Sequence, residues 1–276
     1  MLDVTIGEVL AFTWEGVFLR SFGNGIGDGP GEIRRAFSIC VDDSQNVYVT
    51  EHSSNRINMF RSDGTFLREL RTPFLPSSIA AIHPERIYLT RAASVQDHRL
   101  VCYSVEDGIL NEAVPPDGFT ELVMAAGFRS EIDRLGDMVV YASPYPYAIR
   151  LLSAELEIVG EWMGKEGVVD IEPVRRPDRT VDWNSMIYYV IAGRDSLIYA
   201  VSKRSLRDAG ELIGAIDVYA RNGRHLARIP HTSFGFGWFY RFVVDENHIL
   251  AAAVEEPFPS VIWIDLRPWL VGASER

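Results

Sequence analysis

Apolar and polar positions alternate with a period of two along most of this chain, and the clearest stretch runs from Gly23 to Leu70. There Phe37 to Val41 alternates, Val47 to Thr50 is a β-rich run, Ile57 to Phe60 alternates again, and Asp63-Gly64 turns the chain into Thr65 to Leu70. Period-two patterning, β-branched and aromatic enrichment, and Asp-Gly at a tight reversal predict four short strands joined by short loops.

The pattern recurs. An aromatic residue, a short polar turn ending in glycine and a further apolar run appear at Phe12/Gly16, Phe60/Gly64, Tyr103/Gly108 and Tyr219/Gly223. Residues 148–160 keep the two apolar runs but replace the turn with Ser153-Ala154-Glu155. Second strands return at Ile87 to Thr90, Met138 to Tyr141, Ile198 to Val201 and Ile249 to Ala252. With Tyr48, Tyr88, Val139, Tyr199 and Leu250 taken as equivalent, the repeat is roughly 40 to 60 residues, a spacing suited to four-stranded propeller blades with variable loops. Inner strands begin near Phe37, Ser78, Leu122, Met186 and Phe242, whereas Val9 to Phe12 and Val261 to Ile264 both extend the set of third strands. The expectation is an all-β propeller of four-stranded blades, a single domain over 1–276. Six blades with an incomplete first one are preferred, and a five-bladed ring closed by its two ends is the alternative.

The turn at Gly25 to Glu32, followed by Ile39-Cys40-Val41-Asp42, Val47-Tyr48-Val49-Thr50-Glu51 and Ser54-Asn55-Arg56-Ile57, resembles the NHL-repeat propellers and the bacterial six-bladed β-propeller family. That resemblance implies a six-bladed ring and, because such relatives are commonly exported, a periplasmic or secreted location for a chain whose leader has been removed. The start MLDVTIGEVLAF has neither a basic n-region nor a small-residue cleavage site, and no apolar run is long enough to span a membrane.

Charge narrows the partners. Against 27 basic residues stand 38 acidic ones, a formal net charge of −11, which disfavours phosphate backbones. Arg175, Arg176 and Arg179 form a basic cluster in the long departure from the repeat at 164–184, and nucleic acid is not expected as a partner. Cys40 and Cys102 fall in strands and read as buried thiols. The tract Gly23-Asn24-Gly25-Ile26-Gly27-Asp28-Gly29 lacks the spacing of a phosphate cradle and precedes a strand, so its glycines read as an inter-blade turn. The six histidines show no metal-ligand spacing.

Strand direction alternates within a blade, so loops joining second to third strands emerge on one face together with the connections between blades. These loops hold Glu51, His52, Arg91, His98, Tyr145, Tyr147, Lys203, Arg204, Glu255 and Glu256, the candidate ligand-binding residues. The mixture of acids, cations and aromatic platforms suits a polar pocket or protein groove. Ser143-Pro144-Tyr145-Pro146-Tyr147 is stiff and aromatic, as a contact loop is, and the aromatics from Phe234 to Tyr240 lie just before the last inner strand. The function expected is non-enzymatic: a monomeric propeller presenting a loop-rich face to a protein or small polar ligand, with no cofactor and no assigned catalytic residue. The alternatives are a lyase or lactone hydrolase with a divalent metal at the axial pocket, and a structural module of a larger surface assembly.

Overall fold

The structure, a computed structural model, describes residues 1–51, 54–83, 86–91, 98–115, 130–145, 147–163, 174–175, 181–182, 185–205, 212–234, 242–254 and 260–270. The chain falls into two compact units, Met1–Pro115 with Ala154–Leu156, and Pro116–Ser153 with Glu157–Arg276. Both are built from antiparallel meanders.

In the first unit, β1 (Leu2–Asp3), β2 (Glu8–Phe12) and β3 (Phe18–Phe22) form a three-stranded sheet. The four-stranded sheets β4 (Ala36–Val41), β5 (Val47–Glu51), β6 (Arg56–Phe60), β7 (Phe66–Arg71) and β8 (Pro76–His83), β9 (Arg86–Arg91), β10 (Arg99–Ser104), β11 (Gly108–Ala113) follow. The second unit holds the four-stranded sheets β12 (Glu131–Leu135), β13 (Met138–Ser143), β14 (Ala148–Leu152), β15 (Ile158–Met163) and β18 (Ser185–Ala192), β19 (Ile198–Ser205), β20 (Leu212–Tyr219), β21 (His225–Pro230). Between them lies a two-stranded ribbon, β16 (Val174–Arg175) and β17 (Val181–Asp182). The last sheet is three-stranded: β22 (Phe242–Val244), β23 (Ile249–Val254) and β24 (Ser260–Asp265), followed by the short helix α1 (Arg267–Leu270).

The six meanders are the blades of a six-bladed β-propeller, the preferred count of the sequence reading rather than five. Blade one is incomplete as expected. Its turn repeats that of blade two, Thr13 N to Val17 O and Arg61 N to Thr65 O (both 2.9 Å), so β1 takes the second-strand position. One expected strand start is corrected. The inner strand of blade four is β12, pairing Leu135 with Met138 and Ile132 with Tyr141; the Leu122 start lies outside the described residues. The charged sequence Glu-Ile-Asp-Arg-Leu concealed it, although Ile132 and Leu135 are buried.

Within each unit consecutive blades pack against one another, and every position of β5, β6 and β14 is buried. Tyr48, Ile57, Phe74, Leu89 and Val101 form a core within the first unit, and Tyr189, Tyr199, Val218, Phe242 and Leu250 another within the second. Each fully buried large apolar side chain contributes about 1.5–3 kcal/mol. The outer strands β3 and β11 are largely exposed. Among the described residues no helix is long and apolar enough to cross a membrane.

Candidate functional site

Blade two shows what the glycine-rich tract does. Glu51 ends β5 and Arg56 begins β6, both fully buried, with Arg56 Nη2 2.6 Å from Glu51 Oε1. The same Nη2 donates to the carbonyls of Gly27 (2.9 Å) and Glu32 (3.1 Å), while Nη1 reaches Glu69 (3.2 Å). Asn58 Nδ2 and the Arg34 amide also donate to Glu51 Oε1, and Ser54 Oγ to its other oxygen. Burial opposes the guanidinium charge, but the hydrogen bond and charge of Glu51 outweigh it, so Arg56 is held more firmly protonated than usual. Gly29 N donates to the Glu32 carboxylate (2.6 Å). A Cβ on Gly27 would sit 1.9 Å from that carboxylate. The tract is a turn whose space its own anion fills, and a phosphate would be repelled there. Glu51 is thus a scaffold residue.

Blade three places Arg91 at the end of β9. Its guanidinium lies 5.4 Å from the centroid of the Phe74 ring and 3.6 Å from Glu112, with the side chain 24% exposed. Arg99 begins β10 directly opposite Arg91, and its Nη1 donates to the carbonyl of His98 (2.7 Å). His98 itself is buried. Phe74 belongs to the connection between blades two and three, and Thr72 in that connection donates through N (2.9 Å) and Oγ1 (3.2 Å) to Asn55 O in the β5–β6 loop. Within the first unit, inter-blade connections and second-to-third-strand loops therefore come together, as strand alternation requires.

In the second unit Tyr145 is half-buried and its carbonyl accepts from Ser143 Oγ (3.0 Å). Tyr147 is fully buried and donates to Asp217 Oδ2 (3.0 Å). Asp217 also accepts from Ser202 Oγ (3.3 Å) and Arg228 Nη1 (3.0 and 3.1 Å), and meets His225 Nε2 at 3.2 Å. Burial, then the Asp217 charge, pushes the Tyr147 phenol well above its ordinary range and Tyr219 beside it up to about 12. Both stay neutral donors. Sequence reasoning missed Asp217, His225 and Arg228 because they lie on strands rather than in loops; the alternation placing Asp217 among Ile216, Val218 and Tyr219 was the available signal.

A second carboxylate was also missed. Asp195 accepts from Tyr199 Oη and from Leu197 N (3.0 Å), and its Oδ2 lies 2.7 Å from His248 Nδ1. Lys203 and Arg204 lie on β19, opposite Gly214 and Ile213. His52, Glu255 and Glu256 lie outside the described residues, as do the 235–240 aromatics. Cys40 and Cys102 form no disulfide; Cys102 is buried as expected, whereas Cys40 is only partly buried. Among the described residues no three His, Cys, Asp or Glu side chains are grouped to hold a metal.

No family model matches the chain. Solved structures do. A Bacteroides fragilis protein proposed to be exported superposes with a TM-score of 0.63 at 18% identity, over 92% of this chain and 75% of that one. A member of the DUF4221 family from Bacteroides vulgatus gives 0.62 at 9% identity, over 94% and 86%. A streptogramin B lyase gives 0.52 at 12%, over 95% and 88%. These likenesses are of fold.

Proposed function

We propose that the chain is a binding propeller whose loop end takes up a small polar ligand or a peptide. The observation that supports this is the lacing together, in the first unit, of connections and second-to-third-strand loops by Thr72, Asn55, Arg91 and Phe74. Loops tied to a rigid scaffold can hold side chains in place for a ligand, whereas the tight glycine turns leave few side chains to shape a pocket. The kinship with NHL-type propellers belongs to this reading and rests on the Gly25–Glu32 turn. So does an exported location, which the B. fragilis neighbour makes natural.

The test is thermal denaturation of purified protein against a panel of sugars, amino acids, dicarboxylates, nucleotides and divalent ions. A compound that raises Tm for the wild type, but not for Arg91→Ala or Tyr145→Ala, supports the reading. A stoichiometric divalent ion in the purified protein, with metal-dependent opening of a lactone or a streptogramin B, would replace it with an enzyme.

A further inference from the structure

The β20–β21 hairpin is closed by residues 220–224. Ala220 N donates to Arg224 O (2.9 Å), Gly223 N to Ala220 O (2.8 Å) and Arg224 N to Asn222 Oδ1 (3.1 Å). The blade-two turn repeats these bonds, from Arg61 N to Thr65 O (2.9 Å), Gly64 N to Arg61 O (2.9 Å) and Thr65 N to Asp63 Oδ1 (2.8 Å). The residue before the turn glycine is acidic in blades one to three, as Glu15, Asp63 and Asp107, but an amide in blade five. The position favours a carboxylate, since donation from the Thr65 amide holds the exposed Asp63 carboxyl below its ordinary range. Asn222 is the neutral counterpart of a side chain that this turn accepts as an anion.

Asparagine followed by glycine can lose its amide without an enzyme, because no Cβ shields the next backbone nitrogen. At the exposed Asn222 the bond from Arg224 N folds the side chain back over the Asn222–Gly223 peptide. Asn24-Gly25 is the other such pair in the chain. There Asn24 Nδ2 donates to Pro30 O (2.7 Å), so its amide is tied across the glycine-rich turn instead of along its own backbone.

We propose that Asn222 is a site of spontaneous deamidation, at which blade five exchanges a surface amide for a carboxylate as the protein ages. Gly223 N gives its proton to hydroxide and bonds to Asn222 Cγ; the Cγ–Nδ2 bond breaks and ammonia leaves, taking its proton from water. Water then opens the cyclic imide at Cγ, giving aspartate, or at the backbone carbonyl carbon, giving isoaspartate. The first product reproduces the blade-two turn. The second lengthens the backbone by a methylene where space is short: a Cβ on Gly223 would lie 1.4 Å from Trp162 Nε1, and Tyr219 pairs with His225 just beyond the turn. Gly223 N must leave Ala220 O before it can attack, so the reaction proceeds through local opening of the turn. It is independent of what the loop end binds.

Native protein aged at mildly alkaline pH, then digested in weak acid and mapped by mass spectrometry, provides the test. Conversion of amide to acid at Asn222 should exceed that at Asn24 several-fold, rise with pH, and give aspartate and isoaspartate peptides that separate by chromatography. In urea the two sites should convert at similar rates, because their difference belongs to the fold. Gly223→Ala should slow the conversion; Asn222→Gln, which leaves the glycine in place, should also slow it and serves if the alanine variant fails to fold. Conversion at Asn24 as fast as at Asn222 in native protein, a preference for Asn222 that persists in urea, or an Asn222 that stays intact in native protein while converting in urea would overturn the proposal.

Discussion

Glu51 and Arg56 are the residues on which blade two is fastened, because one ion pair secures two strand ends and the carbonyls of the glycine tract. Removing one member of a buried pair strands the other charge. Glu51→Ala should cost about 3–5 kcal/mol in urea unfolding, and Glu51→Leu with Arg56→Met together should cost less than that single change. A single variant as stable as wild type would mean that water reaches the pair. Asp245 gives a prediction in pH. Its desolvation raises the pKa, but amide donation from Ile249 and Asn247 outweighs this and holds the carboxyl below its ordinary value. A depressed folded pKa stabilises fully above the unfolded value near ~3.9 and ceases to stabilise as pH falls through the folded one. The Tm gap between wild type and Asp245→Asn should therefore be widest near neutrality and close below about pH 4. A gap that is constant with pH would assign the effect to packing.

Among elements, the third-to-fourth-strand hairpins share one device. In blades one to five the register shifts beside the turn, at Ala11/Phe12, Met59/Phe60, Cys102/Tyr103, Leu151/Leu152 and Val218/Tyr219. Four of these turns use glycine at positive φ, and blade four uses Leu156 at φ 66. The blade-four turn therefore keeps the hairpin geometry without the glycine that made the other copies visible. A left-handed conformation costs a leucine roughly 1–2 kcal/mol, and burial of Leu156 offsets it. Leu156→Gly should remain a net loss of about 1–3 kcal/mol, since a buried leucine is worth more than the strain relieved. Gly223 and Gly108 form a controlled comparison. Both have φ near the same value (83 and 84), but a Cβ on Gly223 would lie 1.4 Å from Trp162 Nε1, whereas Gly108 has nothing within 4 Å. Gly223→Ala should destabilise more than Gly108→Ala and alter Trp162 fluorescence; equal losses would mean that the indole simply swings aside.

For the whole molecule, electrostatics makes the clearest forecast. A net charge of −11 opposes polyanions at long range, so single-stranded RNA should bind weakly and be released by modest salt in an electrophoretic titration. Sub-micromolar affinity at physiological salt would reveal a basic face that the formal charge hides.

The sequence by itself determined the blades: alternation and turn chemistry are local, so the strands of Gly23 to Leu70 stand where their pattern puts them, and the second strands of blades two to six were readable, whereas β1 of blade one was not. It also made the role of the glycine tract legible as a turn. Tertiary structure decided the rest. The register pairs Cys40 with Tyr48 and Val243 with Ala251, so Ala251 rather than Leu250 is the counterpart of Tyr48, a one-residue difference that local pattern does not count. The inner strand of blade four had no conspicuous apolar pattern. Candidate loop residues divided by burial: Glu51 and Tyr147 went inward to buried charge and hydrogen-bond partners, whereas Arg91 stayed at the surface on an aromatic ring. Which way a polar side chain turns depends on partners far away in sequence, such as Asp217 for Tyr147, 70 residues on, and only the folded chain brings such partners within hydrogen-bonding distance.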